Sequence, residues 1–249
     1  MEPRNVNESG GMVIMEKGLV SAIISLYDCD RFIESFLYRL SKQTIVNDVE
    51  FIFIINDDKS GDINSHVEKF GFRKQVINVP LENIYASWNR AIKVANGEFL
   101  CNLNCDDYHF YYSLEMCRKL LEENPEGSLC RGRCDHTNEK IKDFDSMNHE
   151  IDLDEVHAEQ KNDRHCGPCP MWRSEVHNEV GLFNEKYKCA GDHDMWLRML
   201  IGGFTAIETG YPSCVYYNRE DTLSNRRGMD SAGEVGEILN RLKKHKEFF

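Results

Sequence analysis

Residues 19–26 read LVSAIISL and residues 49–55 read VEFIFII. Neither stretch alternates apolar with polar residues, and both are strand-sized. Such continuous apolar runs belong to strands buried on both faces, as in a parallel sheet covered by helices. The segment between them supports this. In DRFIESFLYRLSKQ (30–43), Phe32, Phe36, Leu37 and Leu40 share one helical face, and Asp30 stands where a cap would. Further on, a short helix around Ile63, Val67 and Phe70 stops at Gly71, and KQVINV (74–79) reads as a third strand. Residues 82–96 predict a helix through Ile84, Trp88, Ile92 and Ala95. EFLCNL (98–103) predicts a fourth strand, and YYSLEMCRKLLEENP a helix ending before Pro125. Strands alternating with helices predict an α/β domain whose mostly parallel, Rossmann-like sheet is flanked by helices.

Beyond Pro125 the pattern loosens. GSLCRGRC (127–134) reads as a strand, and helices are expected at 174–181, 192–201 and 230–247. Residues 143–163 are strongly acidic but lack the glycine and ligand spacing of a calcium loop, so they read as a solvated loop. Residues 1–18 are expected to form a loose tail. Residues 19–249 then make a single domain with a first half at 19–125 and a second at 126–249.

The formal charge of −12 argues against broad nucleic-acid binding, which needs a basic patch. No apolar run approaches the roughly 20 residues of a membrane span, and the N-terminus lacks the apolar core of a signal peptide. A cytoplasmic location is the expectation. The basic end of the last helix, RLKKHKEFF, leaves peripheral contact with a membrane open, although favourable charge at a helix C-terminus explains it equally. Ten cysteines in a chain of 249 residues do not suggest a disulfide scaffold.

In open α/β sheets, ligands bind outside the carboxyl ends of the strands. Three polar clusters fall there: SLYD (25–28), NDDKSGD (56–62) and NCDD (104–107). No glycine-rich phosphate loop follows any strand. Acids at one rim suit a base N–H, or a hard cation such as Mg²⁺ or Mn²⁺ shared with phosphate oxygens. Aspartate is also common in loops that follow strands, which would need no ligand.

Four stretches, in this order and spacing, resemble family 2 glycosyltransferases of the GT-A fold: VSAIISLYDCDRFIESFLYRLSKQT, EFIFIINDDKSGD, SWNRAIKVANGEFLCNLNCDD and GPCPMWRSEVHNEVGLFNEKYKCAGDHDMWLRM (167–199). The resemblance implies inverting transfer of a sugar from a nucleotide-sugar, most commonly a UDP-sugar, to a glycan, lipid-linked or other hydroxyl acceptor, with Mn²⁺ or Mg²⁺ as cofactor; without a QxxRW-type motif or membrane spans of the kind processive synthases carry, non-processive transfer is the expectation. Carried over by position, it implies that Ser25 and Tyr27 line the base pocket, Asp58 binds the base and Asn89 faces the donor. It also implies that Asn104 and Asp106 lie at the nucleotide, that Asp106 with Asp107 holds the metal, and that Asp192 is the general base. Asn104 replaces the first acid of the usual DxD, and Gly191 replaces the first acid of the usual acid pair.

Other readings stay open. Asp192 could cap the following helix, and Asp194 with Arg198 reads as a helical ion pair. Trp172 and His193 are candidates for the acceptor, against a core aromatic and a surface histidine, and Trp196 is divided in the same way as Trp172. In YYNREDTLSNRR (216–227), Arg226 and Arg227 are candidates to neutralise a pyrophosphate. Cys130, Cys134, His136, His165, Cys166 and Cys169 supply enough ligands for tetrahedral zinc. An inactive nucleotide-binding protein, or a zinc-stabilised interaction module, would share the scaffold.

Overall fold

A computed structural model of the chain describes residues 4–6, 12–56, 61–160, 168–222, 225 and 230–243. In chain order the first half contains β1 (Arg4–Val6), β2 (Met12–Ile14), β3 (Glu16–Leu26), α1 (Ile33–Ser41), β4 (Val49–Ile55), α2 (Gly61–Lys69), β5 (Lys74–Asn78), α3 (Ile84–Val94), β6 (Gly97–Asn102), β7 (Tyr108–His109) and α4 (Ser113–Glu123). The second half adds β8 (Gly127–Thr137), β9 (Glu159–Gln160), β10 (Met171–Arg173), α5 (His177–Val180), α6 (Gly191–Ile201), β11 (Thr205–Tyr217) and α7 (Ser231–Leu242).

The main sheet runs β5-β4-β3-β6-β10-β8-β11-β7, with β9 beside β11. Strands β5, β4, β3 and β6 are parallel neighbours. Strand β10 is antiparallel to both β6 and β8, and so joins the two halves. Strand β11 runs parallel to β8. The apolar runs behave as their composition requires. Val20, Ala22, Ile24 and Leu26, with Phe51, Phe53 and Ile55, pack on the side of α1, α2 and α4. Ile23, Ile52, Ile54 and Leu100 pack on the opposite side, with residues of α3, α6 and α7. Strands cannot turn a wet face outward under such double burial, and each fully buried Ile or Phe contributes roughly 1.5–3 kcal/mol.

Several local expectations change. Helix α1 has Phe32 rather than Asp30 at its cap position, with no side-chain cap. Within the expected tail, β1 and β2 pair antiparallel, and β3 begins at Glu16. The expected helix at 174–181 is a 3-10 turn followed by the short α5. Strands β10 and β11 were not expected. Strand β11 carries Gly210 and Pro212, and its pairing with β8 shifts register around Pro212. This interruption hides its strand pattern.

At the amino ends of the central strands a polar knot is sealed into the core. Glu50 is 1% exposed. Its carboxylate accepts from Ser21 Oγ at 2.5 Å, Asn96 N at 2.6 Å and Asn96 Nδ2 at 3.0 Å. Gly97 N donates to Ser21 Oγ at 2.8 Å. That close approach requires glycine, because a Cβ there would lie 2.6 Å from Ser21 Oγ and 2.7 Å from Leu19 O. Gly97→Ala is therefore expected to cost about 1–3 kcal/mol in urea unfolding, as overpacking against backbone does. Gly71→Ala, with nothing within 4 Å of the added Cβ, should stay within about 0.5 kcal/mol of the parent.

Candidate functional site

Parallel pairing aligns Leu26 with Ile55 and Ile23 with Asn102, so the turns after β3, β4 and β6 open on one rim. A cavity of about 580 Å³ lies there. Ser25, Tyr27, Asp28, Asn56, Asn104 and Asp106 line it from the first half. Asp192, Arg219 and Asp221 line it from the second. Of the residues carried over by resemblance, Ser25, Tyr27, Asn104, Asp106 and Asp192 thus share one cavity. Asp58, with Asp57, lies outside the described residues.

The two acids of NCDD part company. Asp106 faces the cavity, and its Oδ2 accepts from Arg219 Nη2 at 2.5 Å. Asp107 points inward and is 1% exposed. Its oxygens accept from Tyr217 N at 3.1 Å and Asn104 Nδ2 at 3.0 Å. Burial, followed by the neighbouring Asp106 charge, raises the Asp107 carboxyl to about 7. Asp107 therefore ties the turn after β6 to the end of β11, and the expectation that it holds a metal is corrected. The NCDD turn therefore does not offer two carboxylates to a divalent ion. Of its two acids Asp106 faces the cavity, and it already carries a guanidinium. Among the described residues no group of three His, Cys, Asp or Glu is placed to hold a metal.

Asp192 sits in the first turn of α6, half-buried at the cavity wall. Its Oδ1 accepts from His193 N at 2.8 Å and Tyr85 Oη at 3.3 Å. Burial raises its carboxyl above the ordinary range, and these two donors offset part of that rise. Burial also pushes the Tyr85 hydroxyl above its ordinary range, so it stays a donor. Gly191 has a steric reason. A Cβ there would lie 2.7 Å from the Tyr85 ring. The tyrosine fills the space that an acid before Asp192 would need. Sequence reading missed Tyr85 because it lies in α3, 107 positions away from its partner.

The segment leading to Asp192 is pinned from both sides. Asn83 Nδ2 donates to Glu185 O at 2.7 Å. Asn89 Nδ2 donates to Phe183 O at 2.9 Å and Glu185 Oε1 at 2.8 Å, while its Oδ1 accepts from Phe183 N at 2.9 Å. Asn89 is buried and spent on this loop, which corrects the expectation that it faces a donor. From α7, the Glu234 carboxylate accepts from the backbone N–H groups of Lys188, Cys189 and Ala190 at 2.8–3.0 Å. Partial burial would raise that carboxyl, but the three donors hold it below the usual range.

Other candidates resolve structurally. Trp172 is fully buried in β10; it donates to His177 Nε2 at 3.0 Å and packs edge-on against Trp196. It is a core residue, not an acceptor platform, and Trp196 is core as well. His193 is half-buried and is not among the cavity-lining residues. Asp194 pairs with Arg198 at 2.9 Å and also with Arg241 of α7. Cys130 and Cys169 are buried in the core, and the His136 ring packs against Tyr216. His165, Cys166, Arg226 and Arg227 lie outside the described residues.

Comparison with known proteins gives this geometry a context. The family model described as "Glycosyl transferase family 2" matches residues 21–181. Uncharacterized glycosyltransferase EpsJ of Bacillus subtilis (strain 168) is 33% identical over 114 residues, 45% of this chain and 32% of that protein. The chain thus spans about a third of the length of that relative. Uncharacterized glycosyltransferase MJ1057 of Methanocaldococcus jannaschii is 22% identical over 221 residues, 84% of this chain and 75% of that protein. Among solved structures, S. aureus TarS 1-349 in complex with UDP-GlcNAc gives a TM-score of 0.72 at 17% identity, over 91% of this chain and 66% of that one. Mannosyltransferase PcManGT from Pyrobaculum calidifontis, in complex with GDP-Man and Mn²⁺, gives 0.65 at 15% identity, over 90% of this chain and 64% of that one. These likenesses establish the GT-A fold.

The inward acid has a thermodynamic signature. A carboxyl near 7 in the folded state and near 4 in the unfolded chain makes the folded protein bind more protons between those values. Stability therefore falls as pH rises through that window, and levels off above about 7. Asp107→Asn should remove this component. The difference in unfolding free energy between variant and parent should move in the variant's favour by roughly 2–4 kcal/mol between pH 4.5 and 8, read by urea denaturation at each pH.

Proposed function

This chain belongs to glycosyl transferase family 2, and from that premise we propose that it transfers a sugar from a nucleotide-sugar to a hydroxyl acceptor with inversion, using Asp192 as general base. The observation that carries the reading is the meeting, in one cavity, of the strand-end residues Ser25, Tyr27, Asn104 and Asp106 with Asp192 from the other half of the chain. The nucleotide lies against the ends of β3, β4 and β6, with Ser25 and Tyr27 at the base. The sugar points toward α6. The acceptor oxygen attacks the anomeric carbon as the bond from that carbon to the diphosphate oxygen breaks. The electron pair leaves with the nucleoside diphosphate, and the acceptor proton passes to an oxygen of Asp192.

What this chain contributes to that step is a tuned carboxylate. Burial makes Asp192 a stronger base than a solvated aspartate, while hydrogen bonds from Tyr85 Oη and His193 N oppose part of that rise and hold its orientation. A base so positioned contributes about 10²–10⁴-fold to the rate. The reading favours a UDP-sugar because TarS, a fold relative, is seen with UDP-GlcNAc, whereas PcManGT is seen with GDP-Man. The donor is therefore to be found by screening. Of the two acids expected from the sequence to hold a divalent ion, Asp106 is the one that lines the cavity, and no step is assigned to the ion. The absence of an acid at 191 does not favour an inactive binding protein, because Tyr85 occupies the space and serves Asp192 directly.

Release of nucleoside diphosphate from UDP-, GDP- and dTDP-sugars, measured with candidate acceptors, tests the activity. No release from any donor, together with no nucleotide-dependent thermal shift, would sink the reading. Asp192→Asn should fold, bind nucleotide as the parent does and lose about 10²–10⁴-fold in turnover; full turnover would remove the base assignment. Tyr85→Phe makes a finer prediction. It deletes a donor that stabilises the charged carboxylate, so the Asp192 pKa rises. The acidic limb of the kcat/KM profile should then move to higher pH, with the rate on the alkaline plateau changing less.

A further inference from the structure

The cavity holds a run of alternating charges that the expected roles leave unused. Asp106 accepts from Arg219 Nη2 at 2.5 Å, Arg219 Nη1 lies 3.1 Å from Asp221 Oδ1, and Asp221 pairs with Arg31. All four line the cavity. The two arginines also share one ring: Arg31 Cζ lies 4.9 Å and Arg219 Cζ 4.7 Å from the centroid of Phe32. Arg219 is further stacked on Tyr217, at 5.4 Å. Its side chain is only 13% exposed, and its buried Nε has no hydrogen-bond partner.

A guanidinium seated over two rings and held by two carboxylates presents a fixed fork of N–H groups. It sits on the acid that was expected to hold a divalent ion, while the second acid of that pair is turned into the protein. We propose that Arg219, with Arg31 beside it, is the cation that meets the diphosphate of the nucleotide, in the place where a divalent ion would otherwise neutralise it. This deepens, and rests on, the nucleotide-sugar reading above. Asp106 and Asp221 act as positioning groups that hold Arg219 over the cavity until phosphate oxygens share its donors. Phe32 keeps the two guanidinium groups in register. Diphosphate binding then needs no metal, and the leaving group departs onto an arginine already in position.

The test is a calorimetric comparison of UDP with uridine, GDP with guanosine and dTDP with thymidine, each in EDTA and in Mn²⁺. The proposal expects one diphosphate to bind at least tenfold more tightly than its nucleoside in EDTA, with Mn²⁺ changing that ratio by less than threefold. Arg219→Ala should reduce the diphosphate to the affinity of the nucleoside, whose own binding, unchanged, reports an intact base pocket. Arg219→Lys should keep part of the gain. A diphosphate that binds no better than its nucleoside in EDTA and gains tenfold or more from Mn²⁺ would return the role to a metal and overturn the proposal, whether or not Arg219→Ala folds. An unchanged ratio in a folded Arg219→Ala protein would also overturn it. If no nucleoside or nucleotide binds under either condition, the nucleotide-sugar reading itself fails, and this proposal fails with it.

Discussion

Parallel pairing of β3 with β4 and β6, buried on both faces, is the constraint from which the site follows. Inside such a sheet a polar side chain has no water to turn to, so polar residues collect at the strand ends. The two ends are handled in opposite ways. At the amino end the polar groups satisfy one another: Glu50 takes Ser21 and Asn96, and the missing side chain of Gly97 lets the backbones close over them. At the carboxyl end they are left to line a cavity, with Ser25, Asn56, Asn104 and Asp106 facing a common space. The sealed end keeps the strands in register, and that register brings the open end to one rim.

The second half is attached through polar contacts aimed at a single turn. Asn83 and Asn89 of the α3 region grip residues 183–185, and Glu234 of α7 grips the backbone of residues 188–190. Asp192 follows immediately. Its place is thus set by two elements distant in sequence, and Tyr85 completes the arrangement by filling the space above Gly191 and donating to the carboxylate. At position 191 the missing side chain leaves room for Tyr85, which supplies Asp192 with a hydrogen bond.

The sheet of the first half was readable because double burial writes an unambiguous pattern: long apolar runs at strand length, punctuated by Gly71, Gly97 and Pro125. The rim was readable because polar clusters directly after such runs can fall nowhere else. Orientation within a cluster was not. Asp106 and Asp107 are adjacent and chemically identical, and tertiary partners from the end of β11, Tyr217 N on Asp107 and Arg219 on Asp106, distinguish the inward acid from the outward one. Strand β11 itself was obscured by Gly210 and Pro212, so nothing placed Arg219 opposite Asp106. Trp172 and Asn89 failed for a related reason. Whether an aromatic or an amide is spent in the core depends on partners such as His177 and Phe183, reached only through tertiary packing.

The two ends of the proposed reaction make opposite electrostatic demands, and the cavity meets them with different devices. The base benefits from partial withdrawal from water, which raises its proton affinity, and the half-buried seat of Asp192, moderated by Tyr85 and His193, supplies that without a second charge at position 191. The leaving group needs positive charge in a chain whose formal net charge is −12. An isolated arginine in such a cleft would have no fixed position. Alternation of Asp106, Arg219, Asp221 and Arg31 over the Phe32 ring gives each cation a seat while keeping the run close to neutral before an anion arrives. In the proposed complex a diphosphate entering that run replaces carboxylate oxygens with phosphate oxygens at the same guanidinium donors. Its binding then depends on exchange between anions rather than on recruiting a new cation.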